Sequence, residues 1–439
     1  MSHQREPIGV IGTGYVGLVT AAGFAELGSD VYCVDIDASK IERLERGEIP
    51  IYEPGLAELV AKNRERLHFS TDLGIALEHA RLLFVAVGTP ATYSGDADLS
   101  AVHAVVAAMP ASDRHALVMK STVPAGTGAN IQRLFRETGK DGFRYVSCPE
   151  FLKEGSAVKD FLHPDRVVVG DGGDWAGDAV VELYSPLDAP LVRTDIASAE
   201  MVKLASNAFL ATKISFINEI ANVCEETGAD VREVALGMGL DDRIGPKFLQ
   251  AGIGFGGSCF PKDVNALKQL AGNSGYHFQL LNAVIEVNEL QKRRVVGKLQ
   301  KHLGSLVGKR IALLGLSFKP NTDDMREASS LVLSARLQAA GADISVCDPI
   351  AEEEARTLIH GVRFADSAVD CADGADAIVL ITEWDDFLGL DWGEIASAMA
   401  GTLVIDGRNA LDAAAVRAAG LDYEGIGQGA AAAGPAQPA

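Results

Sequence analysis

The residues best suited to chemistry lie in one stretch, GIGFGGSCFPKD at positions 252–263, where a single cysteine stands among four glycines. Glycine lets another group approach the backbone closely, so we expect Cys259 to be reachable. Thiolate is the reactive form of cysteine, and Lys262 could supply the nearby positive charge that favours it. Asp263 could act as a base or orient a water molecule. The alternative is a glycine-rich loop that holds a small, inert, apolar cysteine.

A second candidate pair, Lys203 and Asn207, lies in a helix predicted over residues 198–227. Residues four apart share one helix face, and the neighbouring Leu204 and Phe209 indicate that part of this face is buried. A lysine and an amide on such a face could stabilise a developing oxyanion. The alternative for each residue alone is an ordinary solvated side chain.

A glycine-rich turn near the N-terminus predicts a dinucleotide site. A strand over 7–11 precedes GTGYVG at 12–17, a helix follows over 18–27, and a second strand over 30–34 ends at Asp35. The glycines permit a tight turn and close approach to a pyrophosphate, which the free N–H groups of the helix would bind. An acid at Asp35 would bond the ribose hydroxyls and repel a 2′-phosphate, so NAD is favoured over NADP. The alternative is a glycine-rich turn without a ligand.

Three further buried strands end at polar residues, near Thr89, Thr122 and Glu150. Ligands bind beyond the carboxyl ends of the strands in an open parallel sheet, so we expect these side chains to face one crevice. For the two threonines a helix N-cap is the alternative. A second βα series begins at Lys309, but its first turn lacks a full GxGxxG and could bind a nucleotide in another manner.

Composition limits the classes of function. The chain has 439 residues, enough for two or three domains, and a net charge of −21, which argues against a nucleic-acid partner. Its six cysteines contain no CxxC pair, which is typical of a reducing compartment. We expect no signal segment and no membrane span, and therefore a cytoplasmic protein. No metal site is predicted.

Seven motifs together resemble the UDP-glucose/GDP-mannose dehydrogenase family. They are GTGYVG with DID at 35–37, VGTP at 87–90, KSTVPAGT at 120–127, PEFLKEGSA at 149–157, KLASNAFLATKISFINE at 203–219, GIGFGGSCFPKD, and GLSFKPNTDDMRE at 315–327. One departure is ATYSGDADLS, which lacks the usual DG pair before ADLS and puts only a surface loop in doubt.

The resemblance implies an α/β fold of two Rossmann-like doubly wound domains joined by a long central helix, with a homodimer formed around that helix. The implied ranges are an NAD-binding Rossmann domain (1–196), a central helical dimerisation region with the catalytic cysteine loop (197–304), a UDP-sugar-binding Rossmann-like domain (305–424) and a disordered tail (425–439).

The resemblance also assigns roles to residues at matching motif positions. The implied catalytic residues are Cys259 as nucleophile, Lys203 and Asn207 as an anion-stabilising pair, Asp263 as acid/base, and Thr122 and Glu154 as holders of the catalytic water. The implied cofactor contacts are Gly12, Gly14, Tyr15, Val16, Gly17, Asp35, Lys40, Thr89, Thr122, Glu154, Lys262 and Arg326. The implied substrate contacts are Glu150, Phe151, Leu152, Lys153, Glu154, Lys203, Asn207, Arg243 (donated across the dimer), Phe248, Leu249, Gln250, Ala251, Gly252, Gly256, Lys319 and Arg408.

The implied reaction oxidises the primary alcohol of UDP-glucose to a carboxylate, with two NAD reductions and a thioester on Cys259. A sister enzyme acting on UDP-N-acetylmannosamine or GDP-mannose would share this cysteine chemistry. A β-hydroxyacid dehydrogenase would share the Rossmann domain and the Lys-Asn pair, but it would transfer one hydride and need no cysteine. A nucleotide-sugar-binding regulator with an inactive site is the alternative outside enzymes.

Overall fold

The computed structural model describes residues 5–428, whose contacts divide the chain into two compact units. The first unit contains residues 5–206 and 265–276, and the second contains residues 207–264 and 277–428. The predicted central region, 197–304, therefore contributes to both units. The three-domain division drawn from the sequence stays a prediction.

The first unit is built on a sheet of eight strands in the order β3-β2-β1-β4-β5-β6-β7-β8. The strands are β1 Ile8–Ile11, β2 Val31–Val34, β3 Leu67–Ser70, β4 Leu82–Val85, β5 Ala116–Met119, β6 Arg144–Ser147, β7 Val167–Gly170 and β8 Leu191–Thr194. Neighbouring strands are parallel except β6 and β7, which pair antiparallel. The order 3-2-1-4-5-6 is that of a doubly wound dinucleotide-binding sheet, which confirms the predicted class.

Helices cover both faces of this sheet, because alternate residues of each strand point to opposite sides. Ile8 and Val10 of β1 pack into one apolar cluster, whereas Ile11 packs into another. The helices are α1 Tyr15–Glu26, α2 Ala38–Glu45, α3 Leu56–Lys62, α4 Leu73–His79, α5 Ser100–Ala108, α6 Thr127–Glu137, α7 Ala157–Leu162 and α8 Trp175–Tyr184, with a 3-10 turn at Arg64–Arg66.

A helix of 32 residues, α9 Ile196–Thr227, carries the chain from the first unit into the second. The helix predicted over 198–227 is confirmed, and it begins two residues earlier. The helices that follow are α10 Val231–Gly239, α11 Phe260–Asn273, α12 Gln279–Gln291 and α13 Arg294–Leu303. The chain leaves the helix between Asn273 and Gln279, and a second break at Lys292 separates α12 from α13.

The second unit contains a parallel sheet of six strands in the order β11-β10-β9-β12-β13-β14. Its strands are β9 Arg310–Leu314, β10 Asp343–Cys347, β11 Arg363–Phe364, β12 Ala377–Leu380, β13 Leu403–Asp406 and β14 Asp422–Gly425. Its remaining helices are α14 Ser329–Ala339, α15 Glu352–Leu358, α16 Ala368–Ala372, α17 Asp385–Leu388, α18 Trp392–Ala398 and α19 Ala413–Ala418. The strand order repeats that of the first unit, so the predicted second doubly wound unit is confirmed.

The predicted start of the disordered tail, at Gly425, is wrong for residues 425–428. Gly425 ends β14, Ile426 is fully buried, and the Gly427 N–H donates to the Glu225 carboxylate at 2.8 Å. No sequence signal marked their packing because GIGQ contains a single large apolar residue, Ile426, beside a low-complexity stretch. Residues 429–439 lie outside the described residues. Between residues 5 and 428, no helix is both long enough and apolar enough to cross a membrane.

Candidate active site

The turn between β1 and α1 has the shape that a pyrophosphate site needs. Gly12 has φ +93°, and a Cβ on Gly17 would lie 1.9 Å from the Gly12 carbonyl oxygen, so both positions require glycine. A Cβ on Gly14 would meet nothing within 4 Å, which leaves this side of the turn open. Gly14 offers no side-chain cap to α1, so the first N–H groups of the helix, from Tyr15 onward, can bind an anion.

Asp35 stands at the end of β2 beside this turn. Its Oδ2 accepts hydrogen bonds from the Thr13 N–H at 2.7 Å and the Thr13 hydroxyl at 2.8 Å, and the Lys40 ammonium lies 3.4 Å away. Burial alone would raise the pKa of Asp35, but these donors outweigh burial and lower it. The residues therefore fit NAD: an ionised carboxylate at the ribose position and open N–H groups at the phosphate position.

The strand-end threonines do not cap helices. Thr89 is buried and its hydroxyl donates to the Thr122 carbonyl oxygen at 2.9 Å. The next helices along the chain begin at Ser100 and Thr127, too far on for either threonine to cap them. The N-cap alternative is wrong for both, and the structure brings the two loops together within the first unit.

Glu150 and Lys203 form a buried ion pair in the first unit. The Lys203 ammonium lies 2.9 Å from the Glu150 carboxylate, with side-chain exposures of 4% and 6%. The other Glu150 oxygen accepts the Leu152 N–H at 2.6 Å. The Lys203 ammonium also stands 5.4 Å from the centre of the Phe151 ring. The solvated alternative for Lys203 is therefore wrong, and these predicted substrate residues lie in mutual contact.

The other half of the predicted oxyanion pair, Asn207, lies in the second unit with the cysteine loop. Its amide donates to one oxygen of Asp263 at 2.6 Å, and the Lys262 ammonium lies 2.5 Å from the other oxygen. Asp263 is 1% exposed, and its own N–H donates to the Cys259 carbonyl oxygen at 2.9 Å, the first bond of α11. The alternative of a solvated Asn207 is wrong.

Cys259 differs from the other five cysteines, which are all buried. It is partly exposed and directly precedes α11, whereas the nearby Lys262 ammonium is paired with the Asp263 carboxylate. Burial raises the pKa of the Cys33, Cys224 and Cys371 thiols, which disfavours their reactive form. A buried Cys259 is therefore excluded, and the reactivity of the thiol stays a prediction.

The glycines before Cys259 serve the protein's own packing. A Cβ on Gly256 would lie 2.3 Å from the Glu327 carbonyl oxygen, and one on Gly252 would lie 2.8 Å from that of Gly407. The expectation that these glycines admit an outside group is therefore incomplete, because the approaching groups at Gly252 and Gly256 belong to the chain. Upstream, Phe248 has φ +65°, a conformation that a bulky residue rarely adopts outside functional turns.

The remaining predicted contacts fall into exposed and internally bonded groups. Arg243 is 89% exposed and pairs with Asp241, and the exposed Arg326 pairs with Asp324. Arg408 is largely buried and donates to three carbonyl oxygens, those of Ile381, Gly254 and Phe318. The other predicted contacts comprise the exposed residues Lys153 and Gln250, the partly buried Glu154 and Lys319, and the buried Leu249 and Ala251.

Glu53, which is absent from the predicted site residues, accepts hydrogen bonds from two predicted binding segments of the first unit. This buried carboxylate accepts the Tyr15 hydroxyl, the Gly155 N–H at 2.6 Å and the Ala157 N–H at 2.7 Å. Burial and the bond to Glu53 raise the pKa of Tyr15 far above its ordinary value, so the phenol stays protonated and donates. The only sequence signal was an acid beside Pro54 in a stretch without helical or strand periodicity.

The chain matches all three parts of one family along most of its length. The NAD binding domain of the UDP-glucose/GDP-mannose dehydrogenase family matches residues 6–188, the central domain 197–290 and the UDP binding domain 312–413. The chain belongs to the UDP-glucose/GDP-mannose dehydrogenase family, which confirms the resemblance and the NAD cofactor.

Relatives within this family are similar over nearly their whole length. UDP-glucose 6-dehydrogenase TuaD of Bacillus subtilis (strain 168) is 46% identical over 428 residues, which cover 96% of this chain and 93% of the relative. The structure of a UDP-glucose dehydrogenase from Pyrobaculum islandicum has a TM-score of 0.90 at 38% identity, covering 97% of this chain and 99% of that one. A UDP-D-ManNAc dehydrogenase structure from Pyrococcus horikoshii has a TM-score of 0.84 at 27% identity, covering 96% and 99%.

Substitution of Glu53 tests whether its hydrogen bonds support cofactor binding. Glu53→Gln keeps the side chain's size but places an NH₂ group against one of the N–H donors. Hydrogen bonds to charged groups contribute about 1.5–3 kcal/mol, so we expect the KM for NAD to rise by about tenfold or more. Steady-state kinetics with varied NAD measures the effect.

Glu58→Gln is the matched control, because Glu58 is exposed in the first turn of the neighbouring α3. It removes the same charge and should leave the KM for NAD unchanged. Equal KM values for NAD in the wild type and in Glu53→Gln would show that Glu53 does not contribute to cofactor binding.

Proposed function

We infer that this chain is an NAD-dependent UDP-glucose 6-dehydrogenase, which converts UDP-glucose to UDP-glucuronate by a four-electron oxidation at C6 of the sugar. The observation that carries the inference is Cys259, a partly exposed thiol at the start of α11. Oxidation that stopped at the aldehyde would need no nucleophilic sulfur. Relatives named UDP-glucose 6-dehydrogenase, such as TuaD, support the choice of sugar.

In the first oxidation the C6 alcohol gives its hydroxyl proton to Asp263, the assigned acid/base residue, loses a hydride and becomes an aldehyde. NAD, when bound, accepts the hydride of each oxidation. The alkoxide that develops at the C6 oxygen needs hydrogen-bond donors and positive charge, which we assign to Lys203 and Asn207. These two residues are one turn apart on α9, so a single helix sets their spacing.

In the second oxidation the Cys259 thiolate adds to the aldehyde carbon, which forms a C–S bond and a thiohemiacetal. Loss of the second hydride converts this intermediate to a thioester. A water molecule, held by Thr122 and Glu154 and deprotonated with help from Asp263, then attacks the thioester carbon. The C–S bond breaks, the carboxylate is released, and the sulfur leaves as thiolate.

The substrate contacts implied by the family motifs are part of this proposal. The buried group formed by Glu150, Phe151 and Lys203 supports a sugar-binding surface in the first unit, since its members already touch one another. Arg243 is 89% exposed, which suits a side chain that reaches into a partner subunit. Arg408 already holds three loops of the second unit together, so we assign it a positioning role beside any contact with substrate.

Two measurements distinguish the alternative activities: which sugar nucleotide the enzyme prefers, and how many NADH form per sugar. UDP-glucose should yield two NADH per sugar and should react with a kcat/KM well above those of UDP-N-acetylmannosamine and GDP-mannose. NADH absorbance with limiting sugar nucleotide measures both quantities. A preference for another sugar nucleotide would identify a sister enzyme, one NADH per substrate would favour β-hydroxyacid-type chemistry, and no NADH would favour a regulator.

Removing the sulfur tests the covalent route. Cys259→Ser should yield at most one hydride per UDP-glucose or accumulate a trapped intermediate, because a hydroxyl is a far weaker nucleophile than a thiolate. Limiting-substrate NADH counts and mass spectrometry of the protein measure the two outcomes. Ser258→Ala, with the thiol intact, should keep two hydrides per sugar. Near wild-type production of two NADH by Cys259→Ser would end the thioester mechanism.

We also propose that the chain forms a homodimer around α9. Three large apolar side chains on the second-unit part of this helix face solvent: Phe209, Phe216 and Val223, with exposures of 65%, 49% and 56%. They are seven residues apart, so they lie along one face of the helix. Exposed apolar stripes of this kind mark protein interfaces, and a second copy would bury them symmetrically.

A charge in this stripe should disrupt the dimer. Phe216→Glu should shift the mass measured by light scattering from dimer to monomer at micromolar concentration, since burying an unpaired carboxylate is costly. Val307→Glu is the control, because Val307 is 75% exposed outside α9. An unchanged mass for Phe216→Glu would move the interface elsewhere.

We also propose that the protein is cytoplasmic. Its product, UDP-glucuronate, would supply polysaccharide synthesis. A catalytic thiol needs a reducing compartment, and scattered cysteines without CxxC pairs are typical of one. A uronic acid gives a polysaccharide one negative charge per sugar unit, which is the chemical use of the product.

A further inference from the structure

Two buried amides in the second unit hold the backbone at the start of the cysteine loop. The Asn218 side-chain oxygen, on α9, accepts the Gly252 N–H at 2.9 Å. The Gln291 side-chain NH₂, on α12, donates to the Gly252 carbonyl oxygen at 2.8 Å. Their exposures are 0% and 1%, so these bonds form away from water. Both polar groups of the Gly252 backbone are thereby fixed between two helices.

A third amide, Asn288 on α12, bonds both backbone polar groups of Phe255. Its oxygen accepts the Phe255 N–H at 2.8 Å, and its NH₂ donates to the Phe255 carbonyl oxygen at 3.0 Å. Asn288 is 3% exposed. An amide carries a donor and an acceptor side by side, as a neighbouring strand would, whereas a carboxylate of the same size could only accept.

The loop is shaped to fit this amide. Gly254 has φ +88°, and a Cβ there would lie 2.8 Å from the Asn288 oxygen. On the other side, the Phe255 ring meets the Phe260 ring edge-on with centres 5.7 Å apart. Phe260 is the first residue of α11 and directly follows Cys259. A shift of Phe255 would therefore be passed to the residue next to the thiol.

We propose that Asn288 is a positioning residue for Cys259, acting through Phe255 and Phe260. The proposal rests on the inferred function, in which Cys259 attacks the aldehyde. The first oxidation does not use the sulfur, whereas the second does. Loss of the Asn288 clamp therefore slows the second hydride transfer more than the first, and it lowers the reactivity of the thiol toward any electrophile.

Asn288→Asp tests this by replacing the NH₂ donor with an oxygen that faces the Phe255 carbonyl. We expect the alkylation of Cys259 by iodoacetamide to slow by about tenfold, because a bond is replaced by a repulsion. With limiting UDP-glucose, the ratio of second to first hydride rates should fall by a similar factor. Cys259→Ser provides the alkylation blank.

Ser215→Ala is the matched control. Ser215 is buried on α9 and its hydroxyl donates to the Val284 carbonyl oxygen of α12 at 3.0 Å, so it joins the same two helices without touching residues 252–255. It should lower the melting temperature but leave the alkylation rate and the hydride ratio unchanged. Phe255→Leu, which removes the ring contact with Phe260 on the proposed route, is the second variant should Asn288→Asp not fold, and its effects should have the same direction.

The outcomes separate the two proposals. Unchanged alkylation and hydride ratio in Asn288→Asp, or in Phe255→Leu where Asn288→Asp does not fold, overturn the positioning role and leave a purely structural one. Equal decreases of the alkylation rate and of the hydride ratio in Ser215→Ala would also overturn the positioning role of Asn288. Failure of the wild type to reduce NAD with UDP-glucose would instead overturn the inferred function, and the alkylation comparison would still report on the clamp.

Discussion

The chemistry proposed for this chain depends on one buried carboxylate, that of Asp263. An ionised carboxylate at 1% exposure is costly unless donors surround it. The Asn207 amide and the Lys262 ammonium supply those donors at 2.6 and 2.5 Å. Because Asn207 lies on α9 and Asp263 in the first turn of α11, satisfying the charge also fixes the start of α11 against α9. Cys259 directly precedes that turn, so its position follows from the same contacts.

The backbone of the glycine-rich loop before the cysteine is also held by buried polar side chains. Four of its backbone groups are bonded by the side chains of Asn218, Asn288 and Gln291, and a fifth, the Ile253 carbonyl oxygen, accepts the Ser329 hydroxyl. Such close approach leaves no room for Cβ atoms at several positions. Glycine normally makes a loop mobile, but here its small size lets buried amides reach the backbone. Preorganisation of this kind is what a nucleophile needs.

The sequence predicted the parts of the fold that carry strong local signals. Long apolar runs predicted β1, β2, β4, β5 and β6, and the glycine turn fixed α1 and Asp35. Strands β3 and β8 were missed because LHFS has an exposed position between buried ones and β8 is largely exposed, whereas β7 was missed although VVVG is an apolar, fully buried run.

The partners of the site residues were less predictable than their positions. Motifs located Lys203, Asn207, Cys259 and Asp263, but the pairing of Lys203 with Glu150 joins residues 53 positions apart. Glu53 and Asn288 were missed for the same reason: a buried polar residue is recognised by what surrounds it, and its own neighbours in sequence give no periodic signal.

The two sheets place an acid at the same topological position and use it differently. Asp35 follows β2 and Asp348 follows β10, each beside the turn after the sheet's first strand. Asp348 accepts the N–H groups of Leu316, Ile350 and Ala351 and the indole N–H of Trp384, so its oxygens are engaged by the protein itself. Asp35 accepts from the N–H and hydroxyl of Thr13, from the Asp37 N–H and from the Lys40 ammonium, and it lies beside an open glycine. With the Ser317 N–H included, Asp348 accepts from five donors and Asp35 from four, so a ribose would have to displace more of the protein's own donors at Asp348. The shared strand order therefore does not imply a shared cofactor site.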